Sequence, residues 1–231
     1  MIRPSSSPVV VFDLDGTLAD TAPDLLATLD VILEAEGVPR VPAAQARELI
    51  GAGARALIER GLRAAGHDVP AARLEALYRK FLVHYGETLC VETTLFPGVE
   101  AALDRFEAAG FRLAVCTNKT EALSVRLLQA LGIGERFAAV CGRDTFPYCK
   151  PDPRHLTLAI ERAGGDPAQA VMIGDSRTDV ATAKAAGIPV VAVSFGYTEI
   201  PAGDLGADRV VDHFDDLFAA VRDCIAVSEP A

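Results

Sequence analysis

Residues 9–18 read VVVFDLDGTL, a wholly apolar run that ends in two aspartates, a glycine and a threonine. Val9, Val10, Val11 and Phe12 are consecutive strand formers with no polar alternation. That is the pattern of a strand covered on both faces, as in a parallel sheet flanked by helices. Such sheets bind ligands beyond the carboxyl ends of their strands, which is where Asp13 and Asp15 would stand. If the strand continues that far, alternation turns both carboxylates to one side, so both can act on one ligand. Gly16 lets the chain turn close to that ligand without a Cβ in the way.

Outward from this strand, helical periodicity at 99–109, 121–131, 153–163, 177–186 and 214–226 alternates with apolar runs at 111–117, 137–141, 170–174 and 189–194. A shorter run at 207–211 adds a further strand. Strand–helix alternation with short glycine-containing links predicts an α/β fold, a doubly wound parallel sheet built by right-handed crossovers. Residues 20–90 break the pattern, with helical periodicity at 23–36, 43–49, 54–65 and 71–85 and no convincing strand. The expected organisation is a core of 1–19 and 91–231 interrupted by an all-helical insert, 20–90. Because the insert leaves just after Asp15, it must sit over the carboxyl edge of the sheet, where a lid excludes water and selects substrates. The plainer alternative is a helical decoration with no part in binding.

Composition narrows the class. Hydrophobic residues make up 50% of the 231, enough for a full core, and the formal charge of −10 argues against a nucleic acid or an anionic membrane as partner. No apolar run is long enough to span a bilayer, and MIRPSSSPVV lacks a secretory apolar region, so a cytoplasmic location is expected. Five cysteines with no C-x-x-C pair fit reduced thiols. The chain is expected to be a monomer or a homodimer.

Three later segments end at the same predicted edge. Thr117 and Asn118 offer a hydroxyl, an amide and nearby N–H groups opening a helix, a cradle for phosphate oxygens. Lys150 lies in YCKPDP, where two prolines stiffen the loop. Asp175 and Asp179, in GDSRTD, lie four residues apart and face one point from a first helical turn. Oxygen-only ligands select a hard cation, Mg2+ before Zn2+. Singly, each piece has a plainer reading as a helix cap or a solvated charge. Together, four strand ends delivering paired carboxylates, a phosphate cradle, a lysine and a metal-binding pair make an active-site list.

DLDGT at 13–17, Thr117, Lys150 and GDSRTD at 174–179 resemble, in this order, the four motifs of the haloacid dehalogenase superfamily of phosphatases. The insert resembles the cap of its small-molecule members, and IGAGARALIERGL, LFPGV, CTNKT, KPDP and FGYT are similar to segments of phosphoglycolate phosphatases. The resemblance implies a Rossmann-like core and Mg2+-dependent hydrolysis of a small phosphate ester. In that scheme Asp13 attacks phosphorus, and Asp15 protonates the leaving alkoxide and then activates water. Asp13, the backbone carbonyl of Asp15 and Asp175 hold the metal, Thr117, Asn118 and Lys150 hold the phosphate, and Asp179 supports the metal or Lys150 from behind. In the insert, the N–H groups at Gly51 and Gly53, with Arg55 one turn on, are expected to meet a substrate carboxylate. The alternatives are another ester such as N-acetylmuramate 6-phosphate or a sugar phosphate, a phosphomutase, and, from another class, a non-catalytic phosphate-binding module. Asp15 disfavours a dehalogenase, and Lys80, the only insert lysine, lies late for a Schiff-base hydrolase.

Overall fold

In β1 (Val9–Phe12), Val10 and Phe12 turn to one apolar layer and Val9 and Val11 to the other, and all four are fully buried. The computed structural model describes residues 7–42, 49–198 and 200–226. Besides β1 the main sheet contains β4 (Arg112–Cys116), β5 (Ala139–Cys141), β6 (Ala170–Gly174), β7 (Val190–Val193) and β8 (Arg209–Val211). Its order is β5-β4-β1-β6-β7-β8 and every pairing is parallel. β1 is therefore central, with Val10 opposite Leu113 on one side and Val171 on the other. The predicted doubly wound α/β sheet is what forms.

Helices cover both faces. α4 (Val99–Ala108), α5 (Glu121–Ala130) and α8 (Phe214–Ala226) bring Leu103, Phe106, Leu127 and Leu217 to the layer of Phe12. α6 (Pro153–Arg162) and α7 (Arg177–Ala186) bring Leu156, Ile160 and Val180 to the layer of Val11. Both layers exclude water from β1, so the first polar groups after Phe12 emerge at one edge only.

The insert forms α1 (Ala22–Ala35), α2 (Ala54–Ala64) and α3 (Ala71–Glu87) around its own cluster of Leu29, Leu33, Leu57, Leu62, Leu77 and Phe81. The helix expected at 43–49 lies almost wholly outside the described residues. One element departs from expectation: β2 (Ala19–Asp20) and β3 (Thr94–Leu95) pair antiparallel at the base of the insert. Two residues a side carry no readable periodicity, and the pairing exists because both ends of the insert return to one place. Asp24, in the first turn of α1 and buried, fastens them. Its carboxylate accepts from the N–H groups of Val91, Glu92 and Thr93, each at 3.0 Å, and from Thr93 Oγ1 at 2.7 Å.

A second fastener sits below the loop of Lys150. His155 on α6 is fully buried, accepts the Lys150 N–H at Nδ1 (3.2 Å), and so presents Nε2–H to the Gly142 carbonyl at 3.1 Å. Burial first, and the Lys150 charge next, push its pKa down from 6.5 to about 4.

Two expectations follow. Asp24→Ala orphans buried donors and should cost about 3 kcal/mol, read as a lower urea midpoint, with Asp24→Asn intermediate. The fold binds His155 neutral, so its contribution is whole above pH 6.5 and drains as pH falls toward about 4. Unfolding free energy should drop by about 3 kcal/mol from this group across that window, and His155→Gln should remove that part of the slope.

Candidate active site

Every strand of a parallel sheet ends on the same side, so the segments after β1, β4, β5, β6 and β7 converge. Asp13 continues the ladder, its N–H donating to the Ile173 carbonyl at 2.9 Å, which fixes where its carboxylate starts. Asp13 Oδ1 accepts the Leu14 N–H at 2.7 Å and meets Lys150 Nζ at 3.0 Å. The same ammonium donates to Asp179 Oδ1 at 2.5 Å. Asp179 spends its other oxygen on the start of α7, where Oδ2 accepts from Ser176 N at 3.0 Å and Ser176 Oγ at 2.6 Å. The capping role and the lysine-holding role foreseen as alternatives are thus both present.

Asp175 is fully buried, with Oδ1 accepting from Thr17 Oγ1 at 3.0 Å and Oδ2 from the Tyr197 N–H at 2.6 Å. Gly16 makes room for it: φ there is +85°, and a Cβ would lie 2.3 Å from Asp175 Oδ2. Asp13, Asp175 and Asp179 each bring a carboxylate oxygen within 4.8 Å of the others. Burial raises the pKa of Asp13 to about 6 against the pull of Lys150, and burial followed by repulsion from Asp179 and Asp13 raises that of Asp175. Burial alone would lower Lys150, but Asp13 and Asp179 outweigh it and hold the ammonium charged.

Asp15 Oδ1 pairs with Lys119 Nζ at 2.8 Å. Thr117 is buried beside them, its N–H spent on the Cys141 carbonyl and its Oγ1 accepting from Lys119 N at 3.3 Å. Asn118 Nδ2 donates to the Lys150 carbonyl at 3.1 Å, linking the two loops. α5 begins at Glu121, where its periodicity placed it, but the N–H of Glu121 is taken by Asp144 Oδ1 at 2.7 Å. The cavity is bordered here by the loop 117–120, which leads into the helix.

The insert roofs this edge over a cavity with about 590 Å³ of empty space, floored by Asp13, Asp15 and Thr117 and reached from above by Gly51 and Gly53. Arg55 does not join them. It lies 3.5 Å from Glu75 with its side chain 45% exposed, and it does not line the cavity. The reading of Arg55 as a substrate contact is corrected here, because a position in a first helical turn does not tell which way its side chain turns.

Lys119, Tyr197 and Thr17 were not singled out from the sequence. All three lie in motifs already noticed, Thr17 in DLDGT, Lys119 in CTNKT and Tyr197 in FGYT, but nothing in the spacing of those motifs separates Lys119 from an ordinary loop lysine. Four carboxylates, Asp13, Asp15, Asp175 and Asp179, meet two ammonium groups, Lys119 and Lys150, so two negative charges remain uncompensated. An all-oxygen set with that deficit suits a hard cation. A carboxylate crowded by like charge, fixed beside an ammonium and open to a cavity, suits nucleophilic attack on an anionic ester.

Comparison with known proteins agrees. The family model for haloacid dehalogenase-like hydrolases matches residues 8–187, which spans β1 through α7. A relative from Mesorhizobium japonicum, named phosphoglycolate phosphatase, is 50% identical over 212 residues, covering 92% of this chain and 93% of its own. A crystal structure from Haemophilus somnus, described as a predicted phosphoglycolate phosphatase, superposes with a TM-score of 0.84 at 30% identity, covering 93% and 97% of the two chains. CbbY from Rhodobacter sphaeroides, solved in complex with phosphate, gives 0.78 at 28% identity over 94% and 99%. The strand-end aspartates, the lysine between them and the match over most of the chain lead to one conclusion: this protein belongs to the haloacid dehalogenase-like hydrolases.

Proposed function

We propose that the protein is a Mg2+-dependent phosphatase that acts through an aspartyl-phosphate and converts 2-phosphoglycolate and water to glycolate and phosphate. The observation that carries this reading is the Asp13 carboxylate, fixed by Lys150 at 3.0 Å beneath the cavity, with Asp15 on the same edge. The relatives named phosphoglycolate phosphatase support the choice of substrate.

In this reading an Asp13 oxygen forms a bond to phosphorus as the ester P–O bond breaks, and Asp15 gives its proton to the departing alkoxide. Water then attacks the aspartyl-phosphate, Asp15 takes its proton, and the Asp13–phosphorus bond breaks to release phosphate. Lys150, Thr117 and Asn118 hold the transferring oxygens and orient them for attack. Asp13, the Asp15 backbone carbonyl and Asp175 would hold Mg2+, which when bound neutralises charge on the phosphate. Asp179 keeps Lys150 pointed at Asp13. The assignment divides the chain into a core of 1–19 and 91–231 and a cap of 20–90. Cysteines buried at 116, 141 and 224 and held as thiols support a reducing, cytoplasmic setting, and no helix among the described residues is long and apolar enough to cross a membrane.

Asp13→Asn keeps the shape and removes the nucleophile, so turnover should fall at least about a thousandfold with the thermal midpoint retained. Near-normal hydrolysis by Asp13→Asn would end the covalent assignment. Chelation should abolish activity and Mg2+ should restore it. Mg2+ should also raise the unfolding midpoint of the wild-type protein, by mass action on the native state, and do so far less in Asp175→Ala. Full activity in excess chelator would exclude the metal.

A further inference from the structure

Lys119 is the one cationic side chain among the described residues lining the cavity. It is 8% exposed, it stands 2.8 Å from Asp15 Oδ1, and its ammonium lies 4.6 Å from the centroid of the Tyr85 ring. Tyr85, from the last turns of α3, is 1% exposed, and its O–H finds no acceptor. A buried phenol without an acceptor is costly, so an O–H left in that state beside a cavity calls for a partner. The ammonium has three N–H donors and Asp15 Oδ1 engages one, which leaves donors from both side chains directed to the same neighbourhood.

The floor and the roof meet here. Lys119 comes from the loop after β4 and Tyr85 from the insert, so the pair exists only where the two are packed together. Leu25, Leu57, Phe81 and Leu123 stand around them and raise the strength of any charge contact. Two convergent donors in an apolar wall form a receptor for an anion, and a single ammonium matches a monoanion better than a second phosphate dianion. Lys119 contacts Asp15, the residue on the leaving-group side, while Lys150 contacts Asp13 on the phosphate side. In a 2-phosphocarboxylate the carboxyl carbon is two bonds from the ester oxygen, so a leaving oxygen at Asp15 places the carboxylate next to Lys119.

We infer that Lys119 and Tyr85 form a subsite for the carboxylate of the leaving group, and that this pair sets the preference for phosphocarboxylates over neutral phosphate esters. The inference deepens the phosphoglycolate reading and rests on it.

The test compares kcat/KM for 2-phosphoglycolate with that for ethyl phosphate, which has the same chain length but no carboxylate, in wild-type, Lys119→Met and Tyr85→Phe proteins with Mg2+. The wild-type protein should favour 2-phosphoglycolate. Lys119→Met should cut the ratio of the two constants by about tenfold to a hundredfold, mostly through KM for 2-phosphoglycolate, and Tyr85→Phe by about threefold to tenfold. Loss shared by both esters reads the bond to Asp15 and cancels in the ratio. An unchanged ratio in folded Lys119→Met overturns the subsite while leaving the substrate assignment standing. A wild-type protein indifferent to the carboxylate overturns the substrate assignment itself, and the subsite with it.

Discussion

The Lys150 ammonium, held between Asp13 and Asp179 in a place that water does not reach, is the constraint around which the site is arranged. An isolated charge buried this deeply would cost several kcal/mol, and each partner removed would leave another charge uncompensated. Holding it requires three elements at once: β1 to present Asp13, α7 to present Asp179, and α6 to seat His155 under the lysine's own N–H. The sheet topology meets this requirement directly, because β1 and β6 are adjacent and parallel and their ends cannot diverge. Two carboxylates around one ammonium still leave a surplus of negative charge once Asp175 is counted, and that surplus is what makes the pocket receptive to a cation.

The insert depends on this arrangement without taking part in it. Its helices close on their own apolar cluster, yet Leu123 from α5 and Tyr197 from the loop after β7 belong to that same cluster. Tyr197 also donates its hydroxyl to Asp20 Oδ1 at 2.6 Å and accepts the Ala22 N–H at 2.9 Å, while its own N–H holds Asp175. The beginning of the roof and one of the buried acids are therefore positioned by one residue.

Much of this was legible in the chain. The run of Val9 to Phe12 announced a strand covered on both faces, and every strand expected after it formed, because parallel sheets bury their strands so thoroughly that hydrophobicity alone marks them. Asp13, Lys150, Asp175 and Asp179 come together because each follows a strand whose direction was already determined. Other features were hidden for physical reasons. Asp24 looks like an acid complementing a helix dipole, and only the returning chain reveals that its carboxylate organises three backbone N–H groups. Lys119 differs from a solvated loop lysine only through what packs on it. Arg55 was misread for the converse reason, since periodicity locates a helix but leaves its rotation about its own axis to tertiary packing.

Gly53 shows how little separates the two halves of the molecule. It caps α2 with φ at +87°, and a Cβ placed on it would stand 3.1 Å from the Asn118 carbonyl of the core. At this point roof and floor meet backbone against backbone, with room for a hydrogen atom and no more. Any residue with a Cβ at position 53 would press on the core backbone and lift the roof, whatever side chains line the space beneath it.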